Sequence, residues 1–251
     1  METSLILRRA IQAILPATLL LAACGKSDTP APAAPDQGKI KFYHSAASAN
    51  IDLKFLTGGD AEKANLSYGQ NSGYQSVNTG SQTVKVNVAS SGANITSPTV
   101  GVEKDKNYSF FAYSTSATDL AGLFVPDDLI APANGKIKIR FVNLAQGAAT
   151  PLKLSTTAAS AVDVPGTETA FATASPFVEV LPGSYNVAVT SGTSSTVVYN
   201  VGDGNGSSNA PGTAANRTFE AGKIYTVVYR GITGNTVIDA LKPRAVIVQN
   251  N

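Results

Sequence analysis

Lys39–Phe55 reads KIKFYHSAASANIDLKF, and at an offset of 99 residues Lys138–Leu154 reads KIRFVNLAQGAATPLKL. Lys39, Ile40, Phe42, Ala46, Leu53 and Lys54 fall on identical residues at Lys138, Ile139, Phe141, Ala145, Leu152 and Lys153. The match continues at an offset of 103, where Ser72, Gly80, Ser81, Val84 and Val86 meet Ser175, Gly183, Ser184, Val187 and Val189. In the same block Tyr74 lies over Phe177 and Val77 over Val180. At 117, Glu103, Lys106 and Tyr108 meet Glu220, Lys223 and Tyr225, and Pro126 meets Pro243. Offsets that hold within blocks and grow between them are left by duplication followed by loop insertion. The Gly, Ser and Asn run Gly202–Asn216 is long enough to supply the last step. A period near 100 residues is the size of a domain rather than of a solenoid repeat.

Inside each copy the apolar residues alternate. Ile40 with Phe42, Val84 with Val86 and Val88, and Tyr185 with Val187 and Val189 each place one face inward, with Lys, Asn or Thr expected to point outward. Asn78-Thr79-Gly80-Ser81, Leu181-Pro182-Gly183-Ser184 and Gly234-Asn235 read as turns between strands. Many short strands predict an all-β chain of two tandem immunoglobulin-like β-sandwich domains, residues 39–131 and 136–251, with a small barrel as the alternative. The boundary falls near Ala131-Pro132-Ala133-Asn134-Gly135.

Ahead of the repeats, Arg8 and Arg9 precede an apolar run, Ala10 to Ala23, too short for the roughly 20 residues that cross a bilayer as a helix. Residues 1–23 therefore read as a signal peptide. Its end, Leu21-Ala22-Ala23-Cys24-Gly25, resembles the lipobox of bacterial lipoproteins, and Cys24 is the only cysteine of the chain. The resemblance implies cleavage before Cys24, lipidation of its thiol and a membrane as partner. Gly25 rather than Asp after the cysteine is similar to the outer-membrane sorting pattern of that class. Several acyl chains, at about 0.8 kcal/mol per buried methylene, hold a protein on a bilayer without a basic patch. Residues 24–38 form the lipidated N-terminus and a Pro/Ala-rich tether, a spacer reaching up to roughly 40 Å at about 3.1 Å per residue.

The whole chain carries 19 Lys and Arg against 17 Asp and Glu, and removal of residues 1–23 takes away Arg8, Arg9 and Glu2. That near-neutral balance gives no electrostatic footprint for nucleic acid. A single cysteine excludes an intramolecular disulfide and a thiolate metal cluster.

Lys39 to Ala46, Leu66-Ser67-Tyr68-Gly69-Gln70 with Ser72-Gly73-Tyr74, and Ala221 to Val228 resemble a bacterial domain family of unknown function, DUF4397, often found in tandem on lipoproteins. The resemblance implies an envelope location and no assigned activity.

Candidate chemistry is sparse. No Gly-x-Ser-x-Gly or Ser-x-x-Lys pattern occurs, and the lone histidine, His44, shares strand parity with Phe42 and reads as a rim side chain bonding nearby backbone. Asn143 takes its place in the second copy. Asp203-Gly204-Asn205-Gly206-Ser207 opens like a calcium loop, yet Ala214 stands where a bidentate acid would close an EF-hand, so Gly202–Asn216 reads as an insertion. Asp127-Asp128 reads as a solvated turn. Tyr43, Tyr68, Tyr74 and Tyr113 read as core or corner residues, with an exposed aromatic surface as the alternative. No catalytic, metal or cofactor residue is expected. The leading expectation is a non-enzymatic binding or adhesion module with a protein or glycan partner. A structural subunit of an envelope assembly comes second and a hydrolase third.

Overall fold

The computed structural model describes residues 34–157, 161–201, 214–234 and 236–251. The signal segment, Cys24, most of the tether, residues 202–213 of the long loop and Asn235 of the third turn lie outside them. Among the described residues the fold is all-β, with one short 3-10 turn at Asp239–Leu241.

The first half contributes β1 (Gln37–Ser45), β2 (Leu53–Thr57), β3 (Ala61–Leu66), β4 (Asn71–Asn78), β5 (Gly80–Thr83), β6 (Lys85–Val88), β7 (Asn94–Thr96), β8 (Thr99–Val102), β9 (Asn107–Ser114) and β10 (Leu120–Asp127). The second contributes β11 (Ile137–Gln146), β12 (Leu152–Thr157), β13 (Ala161–Asp163), β14 (Thr173–Ala174), β15 (Val178–Val180), β16 (Gly183–Ser191), β17 (Thr196–Asn200), β18 (Arg217–Phe219), β19 (Ile224–Ile232) and β20 (Arg244–Gln249).

Strand orders correspond between the halves. One sheet runs β10-β9-β1-β4 and another β20-β19-β11-β14, with β15 also on β11. Facing them are β3-β2-β6-β7 and β13-β12-β16-β17, while β5-β8 matches the pairing of β18 with β16. In both halves the central pair, β1 with β9 and β11 with β19, is parallel. Small hydrogen bonds repeat as well. Ser72 Oγ accepts from the Phe42 N–H at 2.9 Å and Ser175 Oγ from that of Phe141 at 2.9 Å. The Gly69 N–H donates to His44 O at 2.8 Å and that of Ala172 to Asn143 O at 2.8 Å.

The register corrects one alignment. Pro126 lies opposite Tyr108, and Gln249, not Pro243, lies opposite Tyr225, so the last strand corresponds at an offset of 123. The insertion that shifts it is the segment carrying the 3-10 turn, which joins β19 to β20.

Each half has its own apolar core. Phe42, Phe55 and Phe110 meet with ring centroids 5.3 to 6.2 Å apart in the first, and Phe141, Leu154, Phe219 and Val227 belong to the second. A third core joins them. Tyr43 and Phe111 from one half pack with Val142, Leu144 and Val228 from the other, through the faces of β1, β9, β11 and β19 that point away from the first two cores. The expected alternation of inward apolar and outward polar residues therefore fails on the central strands: Lys41 and Arg140, on the faces turned away from the first two cores, are buried. The physical reason is that both faces of these parallel strands are covered, as parallel strands usually are. Asn186 and Thr190 on β16 are buried too, tied across strands to Thr157 and Ser155. Residues Pro35–Asn251 make one compact unit.

Candidate functional site

Several of the residues singled out for chemistry, Asp127 and the tyrosines Tyr43 and Tyr74 among them, gather at this seam between the halves. At one end Arg140 of β11 and Asp127 of β10 form an ion pair at 2.7 Å, with both side chains shut off from solvent. Arg140 also donates to Thr226 Oγ1 at 3.0 Å, Ser109 Oγ at 2.9 Å and Pro126 O at 3.2 Å, and its guanidinium lies 4.5 Å from the Phe177 ring centre. The hydroxyls of Tyr74 and Ser109 donate to Asp127 Oδ2 at 2.5 and 2.8 Å, and Asn250 Nδ2 donates to the Tyr74 hydroxyl at 3.2 Å. Asp127 is thus no solvated turn residue. It is the counter-charge for a buried arginine from the other half. Burial, with Asp127 adding to it, pushes the Tyr74 phenol up, so this hydroxyl keeps its proton and acts only as a donor to the carboxylate.

The seam contacts are reciprocal. Lys41 corresponds to Arg140 and Pro126 to Gln249; Arg140 bonds Pro126 O, and Lys41 Nζ donates to Gln249 O at 3.3 Å. Tyr113 corresponds to Arg230 and Tyr68 to Phe171; Tyr113 meets Phe171 edge-on at 5.9 Å, and the Arg230 guanidinium lies 5.0 Å from the Tyr68 ring centre. Such pairing of i with j and j with i characterises a two-fold interface.

At that second end His44 is wholly buried rather than on a rim. Its Nε2 lies 2.8 Å from Ile51 O, so the expected bond to backbone is present. A carbonyl only accepts, so Nε2 carries the proton, and Nδ1 has no partner. The ring meets Tyr68 edge-on at 5.7 Å. Burial lowers its pKa to about 4, the Ile51 bond opposing and Arg230 reinforcing the shift. The imidazole is neutral at ordinary pH and enclosed, a poor position for proton transfer to a substrate. Arg230 reaches across to Gly69 O at 3.5 Å, and burial lowers its pKa as well.

Of the four tyrosines Tyr43 is a core residue, and Tyr68, Tyr74 and Tyr113 are half-buried. Tyr43 stacks on Phe111 at 4.3 Å inside the seam, Tyr113 packs at the edge of that cluster, Tyr74 bonds Asp127 and Tyr68 lies beneath Arg230.

Residues 38–150 match the model of a domain of unknown function, DUF4397. The matched segment takes in the first half and β11, and therefore both members of the buried ion pair. No curated protein matches the chain.

Arg140, Arg230, Thr226 and Asn250 are the seam residues that strand alternation did not single out. Their signal was present in consecutive apolar residues, Phe110-Phe111 and Val227-Val228, which a strand buried on one side does not need. Asp128 accepts from Lys138 Nζ at 2.7 Å, and this bond holds its carboxyl below the usual range. With Tyr108, Glu103 and Asp105 it lines an open groove of about 670 Å³. Among the described residues no His, Cys, Asp and Glu cluster is placed to hold a metal, and no helix is long and apolar enough to cross a membrane. The lipidation site and the calcium-like loop fall outside the described residues.

Proposed function

We propose that the chain is a lipid-anchored cell-envelope protein in which two tandem immunoglobulin-like β-sandwich domains, residues 39–131 and 136–251, are joined back to back as one non-catalytic binding module. The observation that carries this reading is the reciprocal seam, which draws Asp127, Arg140, Tyr43 and Phe111 into the interior as packing and leaves the outer sheets and loops to meet a protein or glycan. Repeated strand order supports the tandem reading. The immunoglobulin-like reading is supported by a pair of tyrosines: the Glu103 N–H donates to Tyr108 Oη at 3.2 Å and the Glu220 N–H to Tyr225 Oη at 3.2 Å, each just before a central strand, in the manner of a tyrosine corner.

The anchor rests on Leu21-Ala22-Ala23-Cys24-Gly25 and implies an outer-membrane address, on either face. Cys24→Ser is expected to move the protein from the membrane to the soluble fraction, and intact mass of the mature chain should begin at Cys24 with diacylglycerol and acyl groups. An unmodified amino terminus overturns the anchor. For the binding role, purification from detergent-solubilised envelopes followed by glycan-array binding separates the alternatives: glycan binding without a stoichiometric companion supports a receptor, and a fixed protein companion supports a structural subunit.

A further inference from the structure

We infer that the second end of the seam is a binding site for one carboxylate, held by the Arg230 guanidinium and the Tyr68 hydroxyl. This deepens the binding-module reading, by naming the ligand's charged group, and rests on it. Among the described residues two arginines are buried at the seam, and only one of them has an anion. Arg140 is ion-paired with Asp127 at 2.7 Å and bonds Thr226, Pro126 and Ser109 as well. Arg230, 6% exposed, pairs with no carboxylate among the described residues: Nη2 reaches Gly69 O at 3.5 Å, the limit of a hydrogen bond, and Nη1 is buried without a partner. A buried charge left in that state is costly, and an anion brought to it supplies what the protein does not.

The first end shows what belongs in such a place. There a carboxylate sits between a guanidinium and a phenol, paired with Arg140 and accepting from the Tyr74 hydroxyl at 2.5 Å. At the second end the guanidinium and the phenol are both present. Arg230 lies 5.0 Å from the Tyr68 ring centre, and the Tyr68 hydroxyl is buried without a partner. The field there is positive: burial raises the Tyr68 phenol, while Arg230 and Arg244, opposite each other on β19 and β20, pull it down as they would favour any anion beside it. Asp52, the acid that acts on His44, is engaged by the Ser67 hydroxyl at 2.6 Å. One planar fork and one phenol suit a planar, monovalent oxyanion. Tyr68 and Gly69 are half-buried and Gln70 is exposed, so a carboxylate at the tip of a ligand enters through the turn 67–70. The corresponding residues, Tyr113 for Arg230 and Phe171 for Tyr68, meet as two uncharged rings, so the site is not repeated there.

The test uses the full chain isotope-labelled at arginine, with acetate as probe. A saturable shift of the Arg230 guanidinium resonance, assigned by its absence in Arg230→Met, is expected, together with a saturable rise in unfolding temperature. Arg230→Met, which removes an unpaired charge, should keep the fold and lose that rise. Tyr68→Phe keeps the ring beneath Arg230 and should weaken acetate about ten-fold, the loss of one hydrogen bond to a charged group. Tyr113→Phe should change nothing. Glucuronate binding tighter than acetate assigns the carboxylate to an acidic sugar, and equal binding assigns it to a free small acid. The site is overturned if acetate does no more than chloride at equal ionic strength, if the response survives Arg230→Met, or if Tyr113→Phe weakens it as much as Tyr68→Phe. Should that occur while a glycan or protein still binds the chain, the site fails and the binding-module reading stands. Absence of all binding by the wild-type chain sinks the reading itself.

Discussion

The two halves bring the same four positions to one layer of the seam with different chemistry: Lys41, Ser109, Asp127 and Tyr74 from the first, Arg140, Thr226, Asn250 and Phe177 from the second. A layer with Asp or Asn in both halves would be symmetric. Here one half keeps the carboxylate and the other the amide, so the arginine has a single counter-charge and it comes from across the seam. Paired halves can differ in this way once they share a chain, because each position then answers only to its opposite number. Asp127→Ala tests the asymmetry most severely. It leaves the Arg140 guanidinium buried without its anion and removes the acceptor of Tyr74 and Ser109, at an expected cost of about 3–5 kcal/mol in urea unfolding. Asn250→Ala at the corresponding position should cost about 1 kcal/mol, the value of an ordinary hydrogen bond. Equal losses would mean that the seam does not distinguish the two.

His44 and Asn143 make the second contrast, and it is read by pH. The His44 pKa falls from 6.5 to about 4 on folding, so the unfolded chain takes up this proton first. Stability from His44 is complete above about pH 6.5, declines as the pH drops through the interval to about 4, and is lost below it. The full loss is about 3 kcal/mol at about 1.4 kcal/mol per pKa unit. Carboxylates titrate in part of the same window, so the informative quantity is a difference. His44→Asn, which copies the second half, should flatten the slope of unfolding free energy between pH 6.5 and 4 relative to wild type. Parallel curves for the two proteins would show that His44 is not desolvated as described.

How much of this was legible in the sequence follows from what each signal encodes. Alternation in Ile40 and Phe42 and the blockwise offsets reveal strands and a repeat, because both depend on local spacing. They stop short of the seam. Lys41 and Arg140 look like solvent-facing residues to any rule that assumes one buried face, and only the doublets Phe110-Phe111 and Val227-Val228 hint at a second. The match of Pro126 with Pro243 does not give the pairing of the last strand, since a shared proline carries no register. The Arg140 to Asp127 bond joins residues close in sequence but on strands of different sheets, a relation that spacing does not encode.

Gly69 and Ala172 supply a third comparison. Both donate their N–H to the carbonyl of the corresponding central-strand residue, His44 or Asn143, and both have positive φ, 90° and 61°. Yet only at Gly69 would a Cβ meet the crossing arginine, 2.3 Å from Arg230 Nη2. Gly69→Ala is therefore expected to cost about 1–2 kcal/mol through left-handed strain and displacement of Arg230. Ala172→Gly should change stability by under about 0.5 kcal/mol, since relief of strain and added chain entropy offset each other. Thermal unfolding of the two variants measures the pair, and a costless Gly69→Ala would remove Arg230 from its place over Tyr68.

The smallest effect bears most directly on the tandem reading. Tyr108 and Tyr225 each accept a backbone N–H from a glutamate five residues upstream, and each is nearly buried. Removing either hydroxyl leaves that N–H without its acceptor while sparing the ring, so Tyr108→Phe and Tyr225→Phe should each cost about 1 kcal/mol. If the halves are copies of one domain, the two losses should agree within about 0.5 kcal/mol and add in the double variant, because the sites sit in separate cores with no shared partner. A large loss at one site and none at the other would mean that the two hydrogen bonds do different jobs. The repeated offset from Glu103 and Tyr108 to Glu220 and Tyr225 would then mark common ancestry without common mechanics.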